Sequence, residues 1–135
     1  MRRVVVESPF RGKDEAEAKR NLEYARAAVR DCILRGEAPI ASHLLLTQPG
    51  ILDDAVPAER VRGIAAGHEW IAFAEAVVVY EDFGVSFGMG QGIARAQLDG
   101  IPVERRRLPA FTEPPAPVNE YGARPASAAA LSGGE

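Results

Sequence analysis

The chain is poor in the materials of disulfides, metal clusters and membrane spans. Its single cysteine, Cys32, excludes an internal disulfide. Cys32 also falls among apolar positions at helical spacing, which makes it a small buried hydrophobe rather than a nucleophile. The two histidines, His43 and His68, share no ligand-pair spacing with each other or with Cys32, which argues against a zinc site; no cofactor is expected. Uncharged runs fall far short of a bilayer, and Met1-Arg2-Arg3 leads straight into Val4-Val5-Val6 rather than into an apolar stretch with a cleavage site. The expectation is a cytoplasmic protein with no membrane partner. Charge of one sign is lacking too: a net charge of -3 offers no global attraction to nucleic acid. The one basic cluster, Arg105-Arg106-Arg107, follows Glu104 at the end of a strand pattern and reads as a solvated edge, with a phosphate contact as the alternative.

What is present suits one compact α/β domain. The chain has 135 residues, 47% of them hydrophobic and 26% charged, enough for one modest core and little more. Arg3 to Glu7 is a β-branched run ending at Ser8-Pro9, a strand entering a loop. From Asp14 to Arg35 apolar residues recur every three or four positions and Gly36 stops them, as in an amphipathic helix. Ala38 to Ser42 suits a strand in which Pro39 is restricted to the first positions or to an edge. His43 to Val56, with Gln48-Pro49-Gly50 and Asp53-Asp54, reads as irregular. Pro57 opens a helix predicted to run to about Glu75, with Val61, Ile64, His68 and Ile71 on one side. Ala76 to Tyr80 is continuously apolar, a strand covered on both faces. A glycine-rich loop, a short helix over Gly92 to Asp99 and a last strand from Ile101 complete the pattern. Alternation of strand and helix predicts a small parallel sheet in a three-layer, flavodoxin-like or Rossmann-like sandwich over residues 1–108. Residues 109–135, rich in Pro, Ala, Ser and Gly, form a tail unable to build a core, partly disordered or packed on a neighbouring protomer.

Parallel sheets bind ligands beyond the carboxyl ends of their strands, which selects three segments. Ser8-Pro9-Phe10-Arg11-Gly12 and Lys13 put a hydroxyl, a ring and two cations before a helix amino terminus, a place that suits an anion. A plain strand-to-helix turn with solvated charges explains the same residues. Ser42-His43-Leu44 places an imidazole near the same crevice, where it is either a structural hydrogen-bonding group or a proton carrier. In the third segment, glycines from Gly84 to Gly92 let backbone approach a ligand closely, and Ser86 stands ready to donate to a phosphate or sugar hydroxyl. A flexible connecting loop is the alternative there.

Together these segments resemble the nucleoside 2-deoxyribosyltransferase-like superfamily, and within it a branch of small uncharacterised phage and bacterial proteins. The strand-end motif Ser-Pro-aromatic-Arg-Gly is matched by Ser8-Pro9-Phe10-Arg11-Gly12, and an asparagine of the next helix by Asn21. Pro39-Ile40-Ala41-Ser42-His43-Leu44 matches a middle block, continued by Leu52-Asp53-Asp54, Glu59-Arg60 and Gly63. The last block, Ser-x-Gly-Met-x-x-Glu-Ile-x-x-Ala, is matched by Ser86, Gly88, Met89, Ile93 and Ala96. The resemblance implies a nucleoside or nucleotide ligand held by Ser8, Pro9, Phe10, Arg11, Gly12, Asn21, His43, Ser86, Gly88, Met89, Gln91 and Gly92, and a homo-oligomer; in some members of the superfamily a neighbouring protomer completes the active site. It also implies chemistry in which a glutamate attacks the anomeric carbon, the base departs, and the sugar passes to another base or to water. The position of that glutamate is Gly92. Three functions are weighed. A nucleotide-binding protein without the chemistry ranks slightly first, because the attacking residue is missing. The alternative is an active nucleoside deoxyribosyltransferase or nucleotide N-glycosidase with a displaced carboxylate, for which Glu81 and Asp82 are the candidates. A purely structural or interaction role, using the proline-rich tail, stands third.

Overall fold

A computed structural model of the chain describes residues 1–112 together with 120 and 121. Of the expected tail, residues 113–119 and 122–135 lie outside the described residues. The elements follow the order β1 (Arg2–Glu7), α1 (Glu15–Leu34), β2 (Glu37–Ile40), α2 (Ser42–Leu45), α3 (Pro57–Glu69), a 3-10 turn (Ile71–Phe73), β3 (Ala76–Tyr80), α4 (Phe87–Leu98) and β4 (Val103–Arg106).

Among the described residues the four strands form one sheet in the order β2-β1-β3-β4, every pair parallel. This is the parallel α/β sandwich expected from the alternation of patterns. Strand parity divides the core. Val4, Val6, Val78 and Tyr80 pack with Tyr24, Ala28 and Cys32 of α1 on one face. Val5, Val77 and Val79 pack with Ile71, Met89 and Ala96 on the other. Burying such a valine contributes roughly 1.5–3 kcal/mol, so the all-valine centres of β1 and β3 anchor both layers. The chain leaves β1 toward β2 on one side and returns to β3 on the other, so the carboxyl ends of β1 and β3 diverge into separate connections. That divergence opens a crevice.

Four local expectations are corrected. The segment after β2 is not wholly irregular: Ser42–Leu45 closes one helical turn, too short to leave a periodic signal. The helix from Pro57 stops at Glu69, and the 3-10 turn carries the chain into β3, leaving Trp70 and Phe73 exposed. The glycine-rich segment is helix rather than loop. Ser86 caps α4, its Oγ accepting from the Met89 amide at 3.3 Å while its own amide donates to Met89 Sδ at 3.4 Å. Glycine lowers helix propensity by about 1 kcal/mol per residue, so the packing of Met89, Gly92 and Ala96 on the sheet overrides a weak local preference. Finally, Arg106 is not a solvated edge residue but is buried beside Glu37. After β4, residues 109–112 bring Phe111 edge-on to Tyr24 and Phe83.

Candidate functional site

The crevice is a cavity of about 380 Å³ bounded by the β1–α1 connection, α2, α3 and the first turn of α4. It gathers the three segments selected from the sequence. Ser8, Phe10, Arg11 and Gly12 line it from β1, His43 from α2, and Ser86, Gly88 and Met89 from α4. The Ser8 hydroxyl and His43 Nε2 are 2.7 Å apart, and the Phe10 ring stands edge-on to the imidazole at 5.5 Å. Burial pushes the His43 pKa down to about 4, so the ring is neutral at pH 7 and shares a single proton with Ser8. His68, also in the wall, is lowered in the same direction by burial and by Arg95.

Other predicted residues act from outside the lining. Asn21 is buried, and its Nδ2 donates to the carbonyls of Phe10 and Arg11 at 3.4 and 3.5 Å, holding the loop in shape. Gly12 must be glycine for space: a Cβ there would press on the α1 backbone, 2.8 Å from the Glu17 carbonyl carbon. Pro9, Gln91 and Gly92 are absent from the cavity wall, and Gln91 is exposed.

Glu81 and Asp82 are not brought to the cavity. Glu81 accepts from Arg105 at 2.8 Å. Asp82 accepts from Tyr24 and Thr112 hydroxyls at 2.5 Å and from the Leu108 amide at 2.8 Å. Burial works to raise the Asp82 pKa, but these hydrogen bonds overcome it and hold the carboxyl below its ordinary range. Asp82 is thus a structural clasp between α1, β3 and the segment after β4.

The carboxylates that do reach the cavity are Glu7, Asp54 and Glu59. Asp54 is paired with Arg60 at 2.9 Å, and Glu59 accepts from the Asp53 amide at 3.3 Å. Glu7 has neither kind of partner among the described residues. Its parity on β1 is that of Val5, so it faces α4, with Val79 beside it in register. There it rests on Gly92, where an added Cβ would collide with the carboxyl, 2.5 Å from Cδ and 3.0 Å from Oε2. Burial pushes the Glu7 pKa up to about 8. In the sequence Glu7 stands at the end of a strand pattern and at the head of the loop that runs to Lys13. Its parity with Val5 pointed to the α4 face, but a charged residue at a strand end is commonly solvated. Among the described residues no group of three His, Cys, Asp or Glu side chains is placed to hold a metal ion, and no helix is long and apolar enough to cross a membrane.

In fold the chain is similar to the solved 2-deoxyribosyltransferase of the psychrotolerant bacterium Bacillus psychrosaccharolyticus, described as a biocatalyst for synthesis of antiviral and antitumoral nucleosides. The TM-score is 0.51 at 17% identity, over 78% of this chain and 72% of that one. A comparison with curated proteins gives no match. The matched family model spans residues 2–106, from the first strand through the last, and therefore takes in every wall of the cavity. The chain belongs to that family, described as a domain of unknown function, DUF7768.

Proposed function

We propose that this protein binds a nucleoside or nucleotide in the cavity at the carboxyl ends of β1 and β3. The observation that carries the reading is the convergence there of three sequence-distant segments, bringing Ser8, Phe10, His43, Ser86 and Met89 around one space. Its size of about 380 Å³ is within the usual range for small-molecule sites. The chemistry of the wall fits the parts of such a ligand. Phe10 and Met89 offer apolar surface to a base, the Ser8–His43 pair offers a donor and an acceptor to sugar hydroxyls, and Arg11, Lys13 and Arg60 offer cations to a phosphate. The likeness in fold to a 2-deoxyribosyltransferase supports the same ligand class. The resemblance also supports a homo-oligomer, which sedimentation of the full chain tests.

Thermal unfolding with a panel of 2′-deoxynucleosides and their 5′-monophosphates tests the reading. A ligand at a hundred times its Kd stabilises by about 2.7 kcal/mol, which for a domain of this size is a rise of several degrees. Phe10→Ala and Arg60→Ala are expected to reduce that rise. No rise with any member of the panel, or a rise indifferent to both substitutions, overturns the proposal.

A further inference from the structure

We infer that Glu7 is the catalytic carboxylate of this cavity, supplied by β1 in place of a side chain on α4, and that the protein cleaves the N-glycosidic bond of its ligand. The inference rests on the ligand class proposed above and adds a reaction to it.

The argument starts from the three cavity carboxylates. Asp54 and Glu59 are tied down by Arg60 and by the Asp53 amide, whereas no hydrogen bond or ion pair among the described residues reaches the Glu7 carboxyl. A fold does not leave a half-buried carboxyl unpartnered for its own stability, because the desolvation is uncompensated. Such a group is expected where a ligand completes its environment. Its position is the second part of the argument. The volume that a side chain at Gly92 would occupy is filled by the Glu7 carboxyl. The two residues are 85 positions apart, yet a carboxyl on β1 and a missing side chain on α4 fit one space. Gly92 is the position where the resemblance calls for the attacking glutamate. The functional group has kept its place and changed its point of attachment.

Glu7 stands where the step needs a carboxylate, and the proton that burial keeps on it at pH 7 passes to water before the step. A carboxylate oxygen bonds to C1′ as the C1′–N bond breaks with its electron pair on the base, and the base takes a proton from water on the face opposite Glu7. The hydroxide so formed attacks C1′, the C1′–O bond to Glu7 breaks, and the carboxylate is free again. The sum is nucleoside plus water giving free base plus sugar.

The test incubates the full-length protein with the same panel of deoxynucleosides and monophosphates, follows free base by chromatography, and runs ligand-induced thermal shifts in parallel. Free base is expected from wild type. Glu7→Gln should lower the rate at least a hundredfold while keeping the thermal shift, since shape and size are conserved. The exchange Glu7→Ala with Gly92→Glu should regain at least tenfold over Glu7→Ala alone. A thermal shift without base release by wild type overturns the role of Glu7 and leaves the binding proposal standing. Glu7→Gln retaining the rate, or a folded, ligand-binding exchange variant with no gain, also overturns it. Neither shift nor free base overturns the binding proposal and this inference together.

Discussion

A buried glutamate and a half-buried one, at the start of β2 and the end of β1, are treated in opposite ways. Glu37, at the start of β2, receives two bonds from the Arg106 guanidinium at 2.7 and 2.8 Å and one from Arg2 at 2.6 Å. Arg106 drives the Glu37 pKa down to about 2 despite its burial, and Arg2 adds to the effect. Glu7, at the end of β1, rests against Gly92 without a charged partner, and burial alone drives its pKa up to about 8. One carboxyl is compensated and ties the start of β2 to the end of β4. The other is uncompensated and stands at the end where parallel sheets bind ligands. Burial by itself therefore does not distinguish a structural carboxyl from a functional one; the partners do.

The comparison breaks most visibly at the compensated end. Arg106→Ala leaves Glu37 buried with only the half-exposed Arg2 and should cost about 3 kcal/mol in denaturant unfolding. Glu37 also sets an acid limb. Its folded pKa is below the unfolded value, so its contribution is complete above pH 4.5 and disappears as pH falls through about 2. In Glu37→Gln that limb should flatten.

At the other end the sign reverses. The folded pKa of Glu7 is above its unfolded value, so whatever it contributes is complete below pH 4.5 and is lost as pH rises through about 8. Glu7→Gln should therefore be more stable than wild type at pH 9, by on the order of 2 kcal/mol, with the difference vanishing near pH 4. A stability gain coupled to loss of function is the expected mark of a site residue. Equal unfolding midpoints at pH 4 and pH 9 for the pair of proteins would remove the distinction drawn between the two glutamates.

Gly92→Ala sharpens the fit on which the site depends. The added methyl must displace the Glu7 carboxyl, and overpacking of this kind should cost about 1 kcal/mol. In a Glu7→Ala background the same change should cost nothing measurable, a coupling read from the double-mutant cycle. Smallest of all is Arg105→Ala. It removes the partner of Glu81 at a half-exposed pair and should change stability by less than about 1 kcal/mol, with no effect on ligand binding. A loss of binding in that variant would bring Glu81 back as a site residue.

The three wall segments were legible in the sequence because each follows a strand, and parallel sheets gather strand ends on one side. Ser8, His43 and Ser86 are all at the cavity for that reason. Glu81 and Asp82 also follow a strand, yet Arg105 in one case and Tyr24, Leu108 and Thr112 in the other draw them away. Those partners are up to 58 positions distant and carry no local mark. The helical conformation of Gly88 and Gly90 was hidden similarly, since propensity argued for a loop and only packing on the sheet reversed it.

The sequence by itself determined the order of strands and helices, their two-faced burial and the end of the sheet where a ligand is expected. Those features are set by periodicity and turn chemistry, which act over a few residues. Only the tertiary structure decided which carboxyl stands in the cavity. Gly92 in isolation reads as a lost functional group. The fold instead sets the Glu7 side chain into the space that Gly92 leaves open, because a parallel sheet fixes β1 beneath α4 whatever the distance between them along the chain.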